Sequence, residues 1–216
     1  LMGNLISHKS FSFVTENPSS ISNSEIASRK KFPWHIAITF FLINISLMNV
    51  FVHRSNNKNI AYLYYNNKKI MCFVGKNGIG KKCREGDFVT PKGIFKMNKV
   101  FFREDKIKKI KSRLPLMKIK RNFFWCVDSR NAKYNSFFQK TLKCKYENLH
   151  RLDDLYDIII VINYNSNPTL KYKGSAIFIH CSDKKTKYTE GCLAIKKEDL
   201  LNLIQNLSPG SQLIIN

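Results

Sequence analysis

The sequence predicts a mainly β domain over residues 50–216 with one amphipathic helix packed on it, and three observations lead there. Short apolar runs rich in aromatic and β-branched residues, such as residues 60–65 and 70–74, are separated by turn residues such as Asn66-Asn67-Lys68. Residues 155–162 (LYDIIIVI) are almost uninterrupted aliphatic, as a strand covered on both faces requires. Only residues 198–207 have clear helical spacing, with Leu200, Leu201, Leu203, Ile204 and Leu207 on one side, acids at the start and Ser208-Pro209-Gly210 closing the turn.

The elements follow in order. Residues 1–31 are polar, Ser- and Asn-rich and without period, a disordered tail ending in the basic cluster Arg29-Lys30-Lys31. Residues 32–52 form the longest apolar stretch, about the length that crosses a bilayer, interrupted by His35, Thr39, Asn44, Ser46 and Asn49. Residues 32–49 therefore read either as a signal anchor, basic cluster inside and the domain outside, or as an N-terminal extension foreign to the functional protein, with Met48 as its start. In the second case residues 49–53 open the first strand.

Residues 75–80 are a glycine-rich loop without the Gly-Lys-Ser/Thr of a phosphate-binding loop. Gly86, Pro91 and Gly93 punctuate a loop leading into a strand at 94–100. Pro115 forbids a continuous helix through the basic segment 106–118. Phe123-Phe124-Trp125-Cys126 is core or the wall of a cleft, and Tyr134-Asn135 lies in a turn-prone region. Residues 174–179 are predicted as a strand delivering His180 at its end, residues 192–195 as a further strand, and residues 213–215 as the last.

Composition bounds the function. An apolar share of 44% excludes a chain disordered throughout, and 37 Lys+Arg against 15 Asp+Glu, a net charge of +22, favours anionic partners. The cations are scattered and mostly lysine, so no specific nucleic-acid footprint is expected. Six cysteines contain no C-x-x-C pair, which removes support for zinc fingers, and no metal or other cofactor is expected. If the domain is exported, some cysteines other than Cys192 can pair as disulfides.

One constellation carries chemistry. Cys192 follows glycine in Thr189-Glu190-Gly191-Cys192, between the apolar runs 176–179 and 193–195, and His180 ends the first run. A cysteine at a tight turn near an imidazole is a nucleophile's setting, because the thiolate attacks and a neighbouring base generates it. The competing reading is a small buried cysteine beside a hydrogen-bonded core histidine.

The order of motifs resembles the catalytic domain of the L,D-transpeptidases, the YkuD-type family, over nearly all of residues 50–216. The matching residues are Arg84-Glu85-Gly86-Asp87 with Thr90-Pro91-Lys92-Gly93, Trp125-Cys126, Tyr134-Asn135, Leu155-Tyr156-Asp157, residues 174–180 and Thr189-Glu190-Gly191-Cys192. The resemblance implies a mixed β-sandwich, Cys192 as nucleophile, His180 as general base and later acid, and the turn residues Gly191 and Thr189 at the site, with the Gly191 and Cys192 amides as oxyanion donors. It also implies peptidoglycan stem peptides as substrate, a thioester acyl-enzyme, a role in cell-wall crosslinking and cell shape, and a place in the cell envelope or periplasm, with residues 32–52 as the inner-membrane contact where they anchor.

The chain departs from the family pattern where Cys181 stands in place of a common glycine and Leu193-Ala194-Ile195 carries no arginine. Arg84, Lys92 and Arg103 are the expected substitutes for binding a substrate carboxylate. Water in place of the acceptor amine would make the enzyme an L,D-carboxypeptidase, and loss of catalysis would leave a basic envelope-binding module.

Overall fold

The computed structural model describes residues 47–140 and 143–216. In chain order the strands are β1 (Asn49–Arg54), β2 (Ile60–Tyr65), β3 (Lys68–Phe73), β4 (Ile79–Gly80), β5 (Thr90–Pro91), β6 (Gly93–Phe102) and β7 (Leu116–Lys118). They continue with β8 (Phe123–Cys126), β9 (Phe137–Gln139), β10 (Tyr146–Asn148), β11 (Ile158–Ile162), β12 (Phe178–Cys181), β13 (Leu193–Ile195) and, after the helix α1 (Lys197–Asn206), β14 (Gln212–Ile215). Asn49–Val52 belong to β1, with Val50 and Val52 fully buried, so those residues serve the sheet rather than a bilayer. Residues 32–46, like the tail 1–31, lie outside the described residues.

Local chemistry explains the pairing. Asn66 and Asn67 both have positive φ (43° and 59°), the conformation of a two-residue hairpin turn matched to strand twist, and they join β2 to β3 with Tyr65 opposite Lys68. The main sheet runs β11-β12-β13-β3-β2-β1-β14-β6-β7 and closes on itself, because β11 also pairs with β6. It is mixed: β1–β14, β12–β13 and β6–β7 are parallel and the other pairs antiparallel. Enclosed by it is one apolar core, which includes Leu63, Met97, Ile158, Ile160, Ile179 and Leu193.

The helix covers this core. Leu200, Leu203 and Ile204 are fully buried, while Glu198 and Asp199 in the first turn suit the positive end of the helix dipole. Ten residues make a marginal helix alone, so tertiary burial, at about 1.5–3 kcal/mol per large apolar side chain, holds it.

A smaller three-stranded sheet, β10-β8-β9, forms a second layer. Its Phe123 and Trp125 pack on Ile159, Val161 and Phe178, which project from the outer face of the main sheet. This layer explains why every residue of β11 is buried: Ile158, Ile160 and Ile162 face the closed core and Ile159 and Val161 face the added layer. Phe123, Trp125 and Cys126 are thus core, and beside them Val127 and β10 form the roof of a cleft.

Residues 174–177 are not strand. Ala176 has φ 51° and its N–H donates to Asn135 Oδ1, so the segment loops until β12 begins at Phe178, and His180 sits inside that strand rather than at its end. Leu203→Ala, which removes a fully buried side chain of α1, is expected to destabilise by about 2–5 kcal/mol. In urea this reads as a lower midpoint at unchanged slope.

Candidate active site

β12 and β13 lie side by side in parallel, with His180 opposite Ala194. Side chains alternate along a strand, so Cys192, two residues before Ala194, emerges on the same face as His180. Cys181 points the opposite way, into the closed core, and cannot join His180 and Cys192 at one centre. Both Cys192 and His180 line a cleft of about 920 Å³ between the main sheet and β10, bordered also by Lys82, Glu147, Arg151 and Tyr156.

The sulfur is held by backbone. Cys192 Sγ accepts the Phe178 N–H (3.3 Å) and donates to Ala176 O (3.1 Å). His180 Nδ1 lies 2.8 Å from Cys181 O, and a carbonyl only accepts, so Nδ1 carries the proton and Nε2 keeps its lone pair. The Tyr156 ring meets the imidazole edge-on at 5.3 Å between centroids.

Burial sets the charge state. It lowers the His180 pKa to about 4, against the weaker opposite effect of the Cys181 carbonyl. Burial also raises the Cys192 thiol, the Glu147 carboxylate pushes it further, and the Phe178 N–H and the Lys82 cation act in the other direction. Both shifts favour uncharged forms, so at rest the pair is thiol and imidazole rather than thiolate and imidazolium. Glu147 is itself raised by burial, and it accepts a hydrogen bond from Tyr156 Oη.

The turn before the sulfur admits only glycine. Gly191 has φ 138°, and a Cβ there would meet Val89 O at 3.0 Å, Ile177 Cδ1 at 3.1 Å and Lys82 Nζ at 3.5 Å. Thr189 Oγ1 donates to Cys192 O (2.6 Å) and accepts the Gly191 N–H (3.1 Å), so it braces the turn. The Gly191 amide is thereby engaged at rest, and of the two expected oxyanion donors the Cys192 amide is the one to retain.

The expected carboxylate-binding cations do not line the cleft. Arg103 is buried outside the cleft, its guanidinium bound by both oxygens of Asp105 (2.8 and 2.6 Å) and by Arg151 O (2.6 Å), a structural arrangement that engages Nε, Nη1 and Nη2 within the protein. Arg84 and Lys92 are exposed on loops outside it. Arg151 borders it instead, together with Lys145, Lys185 and Lys187, its guanidinium paired with Asp153 through Nε (2.9 Å) and Nη2 (2.6 Å) and 5.1 Å from the Tyr156 ring centroid. No spacing or motif in the sequence marks Arg151.

The remaining motif residues build the support. Asp87 accepts Lys82 Nζ (2.5 Å) and the N–H groups of Cys83, Arg84 and Val89, and Lys82, with its side chain 2% exposed, passes under Gly174 and Gly191. Glu85 accepts hydrogen bonds from Tyr134 Oη and Ser175 Oγ (2.9 Å for the latter). Asn135, buried at φ 55°, accepts the Trp125 indole N–H and the Ala176 N–H (3.0 Å each) and donates to Tyr164 O and Asn165 O. Sequence spacing marks Glu85, Asp87 and Asn135 but not that they scaffold the loop that carries Ala176.

Asn135→Ala leaves two donors and two carbonyls without this partner, so a loss of about 2–4 kcal/mol is expected at roughly 1–3 kcal/mol per unsatisfied group after partial relaxation. Chemical denaturation measures it. A loss under about 0.5 kcal/mol contradicts the hub role.

Residues 48–215 match the YkuD family, described as the L,D-transpeptidase catalytic domain. Among solved structures the chain is similar to an L,D-transpeptidase from Mycobacterium smegmatis at 10% identity and a TM-score of 0.36, over 78% of this chain and 59% of that one. It is also similar to L,D-transpeptidase 3 from Mycobacterium tuberculosis at 9% identity and a TM-score of 0.37, over 78% and 61% respectively. The chain thus spans about three-fifths of the length of these relatives. No curated protein matches it. With the family match running from the start of β1 to the end of β14, the chain belongs to the YkuD family of L,D-transpeptidase catalytic domains.

Proposed function

We propose that this chain is a cysteine-dependent L,D-transpeptidase of the cell envelope that acts on peptidoglycan stem peptides through a thioester. The observation that carries the reading is one cleft wall bearing both the Cys192 sulfur and a His180 ring whose tautomer leaves Nε2 as a base.

The chemistry follows from the charge states. Substrate binding presents a carbonyl to the sulfur, the thiol proton passes to His180 Nε2, and the sulfur attacks the carbonyl of the donor peptide's third residue. The Cys192 amide faces the developing oxyanion, an interaction whose loss in comparable sites costs about 3–4 kcal/mol. His180 returns the proton to the departing D-alanine, leaving the thioester. An acceptor amine then attacks, His180 takes its proton, and the amide forms as the sulfur leaves. Neutral resting groups suit this order, since a proton transferred only when the carbonyl is in place produces the thiolate where it is used. Lys145, Arg151, Lys185 and Lys187 are the cleft cations available to a substrate carboxylate, Arg151 while also paired with Asp153.

A stem tetrapeptide incubated with the protein is expected to give crosslinked dimer with release of D-alanine, followed by mass spectrometry. Tripeptide alone as product replaces transfer by hydrolysis, and no turnover together with unchanged binding of anionic wall polymer favours the non-catalytic module. Acylation by a carbapenem, seen as a mass increase on the intact chain, should vanish in Cys192→Ala and slow about 10²–10⁴-fold in His180→Gln. Acylation of Cys192→Ala at the wild-type rate sinks the assignment.

The pH dependence has a definite sign. His180 must be neutral to accept the proton, so the acylation rate is expected to hold down to about pH 5 and fall as pH drops through about 4. The unfolded chain protonates His180 near 6.5 while the folded chain does not until about 4, so stability present above pH 6.5 is lost as pH falls through that window. The loss amounts to about 3 kcal/mol at 1.36 kcal/mol per pKa unit, and His180→Gln should abolish it in denaturation curves taken at pH 7 and pH 4.

A further inference from the structure

Cys126 Sγ and Cys144 Sγ lie 3.6 Å apart, in van der Waals contact. Cys126 ends β8 fully buried, and Cys144 stands half-buried two residues before β10. The pairing of the two strands produces the contact: Tyr146 sits opposite Cys126 and Val127 N–H donates to Lys145 O (3.0 Å), so Cys144 falls on the diagonal from Cys126 across the same ladder. Diagonal neighbours on one face of an antiparallel pair are within side-chain reach.

We infer that Cys126 and Cys144 are a disulfide site, closed by a small disulfide oxidant of the glutathione class, which fastens the roof of the cleft. A disulfide spans about 2.05 Å, so closure asks for a movement of about 1.5 Å shared between two side chains. Cys144 lies outside any strand and can supply it. The Cys144 thiolate attacks one sulfur of the oxidant and the first thiol leaves with a proton. The Cys126 sulfur, losing its own proton, then attacks Cys144 of the mixed disulfide and expels the second thiol. Two protein thiols and one oxidant disulfide become one protein disulfide and two small thiols.

The position gives the bond an effect. Trp125, beside Cys126, stacks edge-on against Phe178 at 5.0 Å, and Tyr146, Glu147 and Asn148, just after Cys144, border the cleft. Short strands of three and four residues hold this roof, and a crosslink between them restricts its opening. The nucleophile is spared, because Cys192 lies in the cleft wall with its sulfur engaged by Phe178 and Ala176, and Cys83 is the cysteine exposed to side reactions.

The test uses the full chain carrying Cys83→Ser, which leaves five of the six cysteines. After reduction and removal of reductant it is incubated with oxidised glutathione, free thiols are alkylated in denaturant, and the digest is mapped by mass spectrometry. The expected result is three alkylated cysteines, a peptide linking residues 126 and 144, and a Tm higher by roughly 5–10 °C. The added substitution Cys144→Ser, at a half-buried site, should remove both the link and the Tm rise while the chain remains folded. Five alkylated cysteines after oxidation, two stable glutathione adducts at these positions, or a link between any other pair overturns the site. None of these readouts depends on catalytic activity.

Discussion

The parallel register between β12 and β13 is the constraint on which the site depends. Two strands a short loop apart in sequence ordinarily pair antiparallel, and a parallel pair needs a longer crossover. Here residues 182–192 supply it, bringing Ser182 N–H onto Ile195 O at one end and Thr189 onto the β3 side of the sheet at the other, through its bonds to Val74 O and Lys76 N–H. A shift of one residue would flip Cys192 to the closed core, where Cys181 already sits, and leave His180 alone in the cleft. The register is protected by burial: Leu193, Ala194, Ile195, Ile179 and Cys181 are all at most 1% exposed, so sliding either strand exposes apolar surface and buries the wrong side chains.

Burial that secures the register also sets the electrostatics. A thiolate and imidazolium pair held permanently in this cleft would carry two desolvated charges, and the opposite pKa shifts of Cys192 and His180 show burial prevailing over the stabilising contacts available to either. Glu147 strengthens the effect at Cys192, and Lys82 opposes it from beneath the glycine turn. Reactivity in such a setting belongs to the complex with substrate rather than to the free thiol.

Much of this was legible from residue order because the relevant patterns are local. The aliphatic run ending in Ile162, the Asn66-Asn67 turn and the periodic leucines of α1 each express a short-range rule, and all three elements stand where those rules place them. Cys192 and His180 were legible as a pair because a glycine turn and two flanking apolar runs are visible in sequence. The closure of the main sheet through β6 and β11 was not, since it depends on contacts about 60 residues apart. Neither was the three-stranded layer: β9 and β10 have three residues each, too few for alternation to register. Nor does the sequence show that Arg84, Lys92 and Arg103 stand outside the cleft lining. Arg103 is held by Asp105, two residues on, and by the Arg151 carbonyl, a contact across 48 residues that no local pattern signals.

The loop Glu85-Gly86-Asp87 acquires a physical meaning from what lies beneath Gly191. A buried ammonium such as that of Lys82 is tolerated only beside a fixed anion, and Asp87 supplies it while gathering three backbone N–H groups of its own loop. The lysine stem occupies the space that a side chain at residue 174 would need, while at residue 191 Val89 O and Ile177 Cδ1 stand in the way and the ammonium lies in ordinary contact at 3.5 Å. The glycines on either side of the cleft floor, the aspartate in the distant loop and the lysine between them therefore form one steric and electrostatic unit. A side chain at 174 displaces the lysine, a side chain at 191 crowds Val89 O and Ile177 above it, and neutralising the aspartate leaves the cation buried without its counter-charge. The turn that presents Cys192 is thus held from below by a charge pair and from its own residues by Thr189, which leaves the sulfur's position set by groups that need take no part in bond making.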